Sequence, residues 1–235
     1  GSNILNILII LGITAVLTNV RIQKTTFRYE IPFMIGITII LMAFGITGNQ
    51  ITFLEGILFW LLFLIFLGYL FVISKKGSVQ EEEEEARNIP VWKCILFMVI
   101  GGFMVVKGSD LAVSGASEIA RYFGMSERFI GLTIVAFGTS LPELVTSVTA
   151  ARRGNADIAI GNIVGSNIFN ILFVIGTTAL ICNVPFDQKF VIDTIVAIFS
   201  GVLLWAGTIR YKELRKNCGI VMLLCYAGYF IYLCK

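Results

Sequence analysis

The chain has 235 residues, 57% of them hydrophobic and 14% charged, with a mean hydropathy of +0.89; this balance excludes a soluble domain and predicts an all-α polytopic membrane protein. The net charge of +3 says little about partners; no basic cluster interleaved with aromatics points to nucleic acid, and the partner expected is the lipid bilayer. Histidine is absent, which removes Ser-His and Cys-His nucleophiles, HExxH zinc sites and imidazole relays, and the five cysteines form no CxxC pair and read as small apolar fillers without disulfides.

The first segment, residues 1 to 20 (GSNILNILIILGITAVLTNV), lies over residues 165 to 184 (GSNIFNILFVIGTTALICNV) at a constant offset of 164, with 12 of 20 positions identical. Gly1 and Ser2 therefore read as native, and the chain is expected to begin inside a helix whose earlier part is missing. A polar link with Arg21, Lys24 and Arg28 follows, then apolar runs from Ile31 to Thr47 and from Ile51 to Ile73, parted at Gly48-Asn49-Gln50. Each run is close to the ~20 residues that a span requires.

Residues 74 to 91 form an acidic loop whose Glu81 to Glu85 block reads as a solvated linker. Beyond it come a long helix from Trp92 to Tyr122, two helices at 126 to 151 and 155 to 181 joined by an Arg152-Arg153-Gly154 turn, and runs from Val191 to Ile209 and Cys218 to Leu233. The total is eight spans, three in a first part (1 to 73) and five in a second (92 to 235). Assigning alternate loops to sides puts thirteen basic residues on one side and Arg121, Arg128, Lys189 and Lys235 on the other. The positive-inside rule makes the first side cytoplasmic, with the acidic loop inside and the C-terminus outside. The repeated segment falls in the first span and the sixth, so its two copies are expected to run in opposite directions, the inverted layout of many secondary transporters.

The stretch from Gly131 to Gly176 carries Thr139, Ser140, Pro142, Glu143, Asn162, Ser166 and Asn170 where a lipid-facing helix would carry leucine. A carboxylate at bilayer depth costs about 3 kcal/mol even on lenient insertion scales, so Glu143 reads as a functional residue facing protein or water. Pro142 predicts a helix break near Gly138 and Thr139, with freed carbonyls that must line a cavity or be satisfied. Ala136, Ser140, Glu143 and Ser147 share one face; Asn162, Ser166 and Asn170 form a stripe on the next helix, where Gly161 and Gly165 make a GxxxG expected to permit close approach. Taken singly, each Ser, Thr or Asn could simply join helices, and Asp110, Glu118 and Asp193 read as interfacial or paired. Together the group offers hard oxygen donors suited to Na⁺ or Ca²⁺. One acid is few for Ca²⁺, and the repeat adds Ser2 and Asn6 as counterparts of Ser166 and Asn170.

The motif GxTxxAxGTSLPE followed by GNxxGSNxxN resembles the second alpha-repeat of the cation/calcium exchanger superfamily, and most closely the bacterial and archaeal sodium/calcium exchangers. The resemblance implies ten helices in two inverted halves of five, of which this chain would be the last eight. It also implies that Glu143 is a direct Ca²⁺ and Na⁺ ligand, assisted by Thr139, Ser140, the Ala136 carbonyl, Ser166 and Ser2, with Asn6 and Asn170 bordering the central site. Potassium-dependent relatives characteristically carry Asp at the place of Asn170, so potassium coupling is not expected. The first repeat's own GTSLPE-like segment is absent, so these 235 residues alone are not expected to exchange ions.

The function expected is Na⁺/Ca²⁺ antiport across a bacterial or archaeal cell membrane, with both ions as cargo and no organic cofactor. Ca²⁺/H⁺ antiport is the alternative, since a buried Glu can carry a proton; a passive cation channel is the reading from another class. Intramembrane hydrolysis is disfavoured because nothing stands ready to activate Ser140.

Overall fold

A computed structural model describes residues 1–77, 90–125, 130, 134–138 and 140–233. The Glu81 to Glu85 block, Arg128 and Thr139 lie outside the described residues. The chain divides into two compact units, Gly1–Trp60 with Glu143–Lys235, and Leu61–Pro142.

The first unit opens with α1 (Ser2–Leu17), whose middle, Asn6–Leu11, is π-helical. Strand β1 (Val20–Arg21) leads to α2 (Thr26–Gly48), which stops where Asn49 adopts the left-handed conformation at φ 51°, a position that Asn tolerates better than most residues. Strand β2 (Gln50–Ile51) follows, then α3 (Phe53–Gly77), whose start belongs to this unit. On the far side of the sequence, α6 (Leu141–Arg152) leads into α7, which runs as Ala156–Phe169, a π-helical Asn170–Ile175 and Gly176–Ile181. Strand β3 (Val184–Pro185), α8 (Gln188–Ile209), β4 (Glu213–Leu214) and α9 (Lys216–Leu233) complete it. The two-residue strands pair antiparallel as β1 with β4 and β2 with β3. Since β1 and β2 bracket α2, which at 23 residues is about 35 Å long, the two ladders sit at opposite ends of this unit.

Local structure repeats as the sequence does. At the offset of 164, π-segment falls on π-segment (Asn6–Leu11, Asn170–Ile175), and both helices end alike, at Thr18 (φ −156°, ψ 151°) and Cys182 (φ −153°, ψ 153°). Packing repeats too. A Cβ on Gly219 of α9 would stand 2.7 Å from the Gly12 carbonyl and 3.0 Å from Ala15 Cβ. A Cβ on Gly56 of α3 would stand 3.0 Å from both the Gly176 carbonyl and Ala179 Cβ, and Gly176 and Ala179 are the repeat counterparts of Gly12 and Ala15. These are the close helix approaches that small residues permit. By contrast, a Cβ on Gly161 or Gly165 would meet nothing within 4 Å among the described residues. The expected GxxxG contact is therefore not where this unit draws its helices together.

The core of the unit is formed by the π-segments and their neighbours: Leu8, Ile10, Leu11, Ile163, Val164, Ile168 and Leu172 are completely buried. Outward faces stay apolar, with Leu54, Ile195, Phe199 and Leu224 exposed, the pattern of helices whose solvent is hydrocarbon. Hydroxyls inside these helices are satisfied without water, as lipid requires: Thr14, Thr38, Thr178, Thr194, Ser200 and Thr208 each donate to the carbonyl four residues earlier.

The second unit contains the rest of α3, then α4 (Val91–Tyr122) and the single turn α5 (Ala136–Gly138). At 32 residues α4 is about 48 Å long, more than the hydrocarbon core requires. Its surface shows Trp92, Phe97, Met98, Phe103 and Met104, and Lys107 meets Asp110 at 3.7 Å, both exposed. Gly138 is glycine for a steric reason, because a Cβ there would collide with Val113.

Among the described residues six helices are long and apolar enough to cross a membrane, and Ser2–Leu17 is a shorter apolar one. The fifth expected span, 126 to 151, is interrupted at Ser140, which lies in a turn just before α6 begins at Leu141. Cys94, Cys182, Cys218 and Cys225 are free thiols.

Candidate functional site

Pro142 has no amide hydrogen and cannot continue a helix begun before it, so it sits near the start of α6 and puts Glu143 in that helix's first turn. A helix N-terminus favours a carboxylate. Ahead of it the chain turns, the Ser140 amide donating to the Phe137 carbonyl at 3.1 Å, and Ser140 is buried. The chain thus breaks at Ser140, beside the expected position at Gly138 and Thr139, of which Thr139 lies outside the described residues. Ser140 and the Ala136 backbone belong to the Leu61–Pro142 unit, while Glu143 begins the other.

Within the first unit, α6 and α7 are joined by a polar ladder. Ser166 Oγ donates to Glu143 Oε1 at 3.1 Å. One turn away on both helices, Asn162 Nδ2 donates to Thr146 Oγ1 at 3.1 Å and to Ser147 Oγ at 3.4 Å. Residues four apart on a helix share a face, so the sequence stripe of Asn162, Ser166 and Asn170 does face the Glu143 side at its first two members. Glu143 and Ser166 are half-buried and Ser147 is fully buried.

At the third member the stripe turns to the other copy of the repeat. Asn170 Nδ2 donates to Asn3 Oδ1 at 3.0 Å, and Asn6 Nδ2 donates to Asn167 Oδ1 at 3.0 Å. Between them Asn3 Nδ2 donates to the Asn167 carbonyl at 3.2 Å and Asn167 Nδ2 to the Asn3 carbonyl at 3.1 Å. Every one of these bonds has its counterpart when the copies are exchanged. Asn6 and Asn167 are 1% exposed. Asn6 Oδ1 is buried with no hydrogen-bond partner among the described residues, and an unanswered buried acceptor costs about 1–3 kcal/mol. It is an oxygen placed to receive a donor or a cation.

Beside this group a cavity of about 400 Å³ is lined by Ser2, Asn3, Asn170, Asp193 and Thr194 among others. Ser2 is exposed at the start of α1. Asp193 is paired, as expected of it: Tyr229 Oη donates to its Oδ1 at 2.7 Å. Glu143 and Ser166 are therefore in contact; Asn6 and Asn170 flank one amide cluster; Ser2 and Asn170 share a cavity wall. Sequence reasoning did not single out Asn3 and Asn167, the third residues of the two GSN copies. Their signal was present in the repeat itself, which preserves both at the same offset.

These donors are all oxygen, with one carboxylate, and among the described residues no three His, Cys, Asp or Glu side chains converge. Such a set suits a hard cation that binds and leaves rather than a resident transition metal.

Comparison with known proteins gives one consistent result. A family described as sodium/calcium exchanger protein matches residues 1–72 and 93–235. Inner membrane protein YrbG of Escherichia coli is 33% identical over 248 residues, covering 99% of this chain and 74% of its own. Sodium/calcium exchanger MaX1 of Methanosarcina acetivorans is 43% identical over 109 residues, 46% of this chain and 31% of that protein. Among solved structures, the sodium-calcium exchanger NCX_Mj soaked with 10 mM Na⁺ and no Ca²⁺ superimposes with a TM-score of 0.81 at 30% identity, over 98% of this chain and 74% of that one. The chain belongs to the sodium/calcium exchanger protein family: it is a membrane antiporter of the cation/Ca²⁺ type and not an enzyme.

Proposed function

We propose that the full-length protein exchanges Na⁺ for Ca²⁺ across the cell membrane, Na⁺ moving down its gradient and Ca²⁺ outward through one site near the membrane midplane. The observation that carries this reading is the Glu143 carboxylate at the start of α6, held by Ser166 Oγ at 3.1 Å beside a second, amide-lined group of oxygens. Competition of the two cations for Glu143 couples their movements. Thr139, Ser140, the Ala136 carbonyl and Ser2 are the further ligands proposed, with Asn6 and Asn170 at the border of the site. Helices beyond these 235 residues supply the remaining ligands, including a second acidic helix break related to that at Glu143 by the repeat.

Two findings support this proposal beyond family membership. NCX_Mj has been soaked with Na⁺, with Ca²⁺ and with Sr²⁺, and its Ca²⁺-soaked form superimposes with a TM-score of 0.79. The two repeat copies lead into β1 and β3, strands in ladders at opposite ends of the first unit. That geometry favours an inverted repeat, and inverted repeats with interrupted helices are a recurring frame for alternating access.

The test is Glu143→Gln in the full-length protein, reconstituted in Na⁺-loaded vesicles and diluted into Na⁺-free medium containing labelled Ca²⁺. The amide keeps the shape and loses the charge, so Ca²⁺ uptake should fall by about a hundredfold or more, since loss of a group one step removed from a bound cation already costs up to about 100-fold. Wild-type rates would remove Glu143 from the site. Uptake by the unsubstituted protein that follows a pH gradient and ignores Na⁺ would replace Na⁺ by H⁺ as the coupling ion.

A further inference from the structure

We infer that Asn3 and Asn167 are positioning residues that aim the side-chain oxygens of Asn6 and Asn170 at the transported cation, one across each copy of the repeat. This rests on the reading of Asn6 and Asn170 as part of an exchange site.

A carboxamide has one oxygen and one nitrogen at nearly equal reach, and a half-turn about its last torsion exchanges them. An Asn beside a cation site is therefore useful only if something fixes which end faces the ion. Here the fixing contact is explicit. Asn6 spends its Nδ2 on Asn167 Oδ1 at 3.0 Å, and its Oδ1 is left buried and without a partner among the described residues. If the amide were turned over, its NH₂ would face the site, and two oxygens, those of Asn6 and Asn167, would oppose each other without a hydrogen. Asn170 is held in the same way through Nδ2 on Asn3 Oδ1 at 3.0 Å.

The holders are themselves held. Asn3 Nδ2 donates to the Asn167 carbonyl at 3.2 Å, and Asn167 Nδ2 to the Asn3 carbonyl at 3.1 Å. With both nitrogens committed to main-chain carbonyls, both Oδ1 atoms point to the neighbouring Asn6 and Asn170 nitrogens. The direction of all four amides is set by two backbone acceptors, which cannot turn over. Asn167 is 1% exposed, so water does not compete for these bonds there. Asn6 and Asn170 also begin the two π-helical segments, a helix form that recurs at functional sites and here sets each amide at a change of register.

Outer groups of this kind shift cation affinity by about 10–100-fold when removed, without contacting the ion. In the full-length exchanger, Asn167→Ala should raise the KM for Ca²⁺ about tenfold and leave the maximal rate within about threefold. Because Asn167 acts through Asn6, the double variant Asn6→Ala/Asn167→Ala should be no worse in KM than Asn6→Ala alone. Asn3→Ala should pair in the same way with Asn170→Ala; Asn3 is only half-buried, so this cycle keeps the test open if Asn167→Ala does not fold. KM increases that add in both double variants would overturn the positioning role, as would an unchanged KM accompanied by a lower melting temperature. If unsubstituted protein shows no Na⁺-dependent Ca²⁺ flux, the exchange reading itself fails. The same cycles, read as the Na⁺- or Ca²⁺-induced rise in melting temperature, then test positioning separately.

Discussion

Glu143 accepts from Ser166 Oγ at 3.1 Å, and the main-chain carbonyl of the same residue accepts from Thr146 Oγ1 at 3.1 Å. A hydroxyl that donates to a carboxylate can also offer its lone pairs to a cation lying beside both, so Ser166 is suited to orienting Glu143 and to sharing the cation proposed to bind there. Removing it leaves the charge in place and takes away one donor. A hydrogen bond to a charged group is worth about 1.5–3 kcal/mol, and the lower figure is a little over tenfold in an equilibrium constant. Ser166→Ala in the full-length protein should therefore raise the KM for Ca²⁺ about tenfold, far less damage than neutralising Glu143 causes. Labelled-Ca²⁺ uptake at a series of Ca²⁺ concentrations measures it, and a loss as complete as that of Glu143→Gln would show that Ser166 is indispensable rather than auxiliary.

At the scale of elements, the helices were legible because long apolar runs leave few alternatives, and the interruption before α6 was legible because proline lacks the donor that a continuous helix needs. The π-segments were not: Asn6–Leu11 and Asn170–Ile175 carry ordinary helix-forming apolar residues, and a shift to a wider register leaves no mark on composition. Nor were Asn3 and Asn167, which stand one position past Ser2 and Ser166 and so fall off the stripe that helical spacing draws through Asn162, Ser166 and Asn170. Their role emerges only when two distant copies are brought together. The same holds for glycine. Gly161 and Gly165 satisfy a familiar pattern yet press on nothing among the described residues, while Gly12 meets Gly219 and Gly56 meets Gly176 across great lengths of sequence. Valine at Gly219 would put two γ-methyls beyond a Cβ already 2.7 Å from the Gly12 carbonyl. Overpacking of this sort costs about 1–3 kcal/mol, so Gly219→Val should lower the melting temperature in detergent. Gly36→Ala is the control, since a Cβ there meets nothing within 4 Å among the described residues. Equal behaviour of the two would mean that the α1–α9 approach does not limit stability.

At the scale of the whole chain, the remaining question is which end of the bundle faces the cytoplasm. Alternation of loops puts Arg21, Arg152, Arg153 and Arg215 on one side, and contacts within the first unit agree on their grouping. The β1–β4 ladder joins Val20–Arg21 to Glu213–Leu214, Arg21 and Arg215 both meet Glu213 (3.6 and 4.0 Å), and Gln23 Nε2 donates to Asp157 Oδ2 at 2.7 Å just after the Arg152-Arg153 turn. At the other end of α2, the β2–β3 ladder gathers Gln50–Ile51 and Val184–Pro185, followed by Lys189. Basic residues are retained on the cytoplasmic side during insertion, so the arginine-rich end should face inward. In a cysteine-free full-length protein, Arg153→Cys should react with a membrane-impermeant maleimide only in inverted vesicles, and Lys189→Cys only in right-side-out ones. Both positions lie outside the polar ladder, so transport should survive and certify that the labelled molecules are native. The reverse labelling pattern would invert the assignment, and labelling of both positions from one side would mean that α7 and its neighbours do not cross the membrane between them.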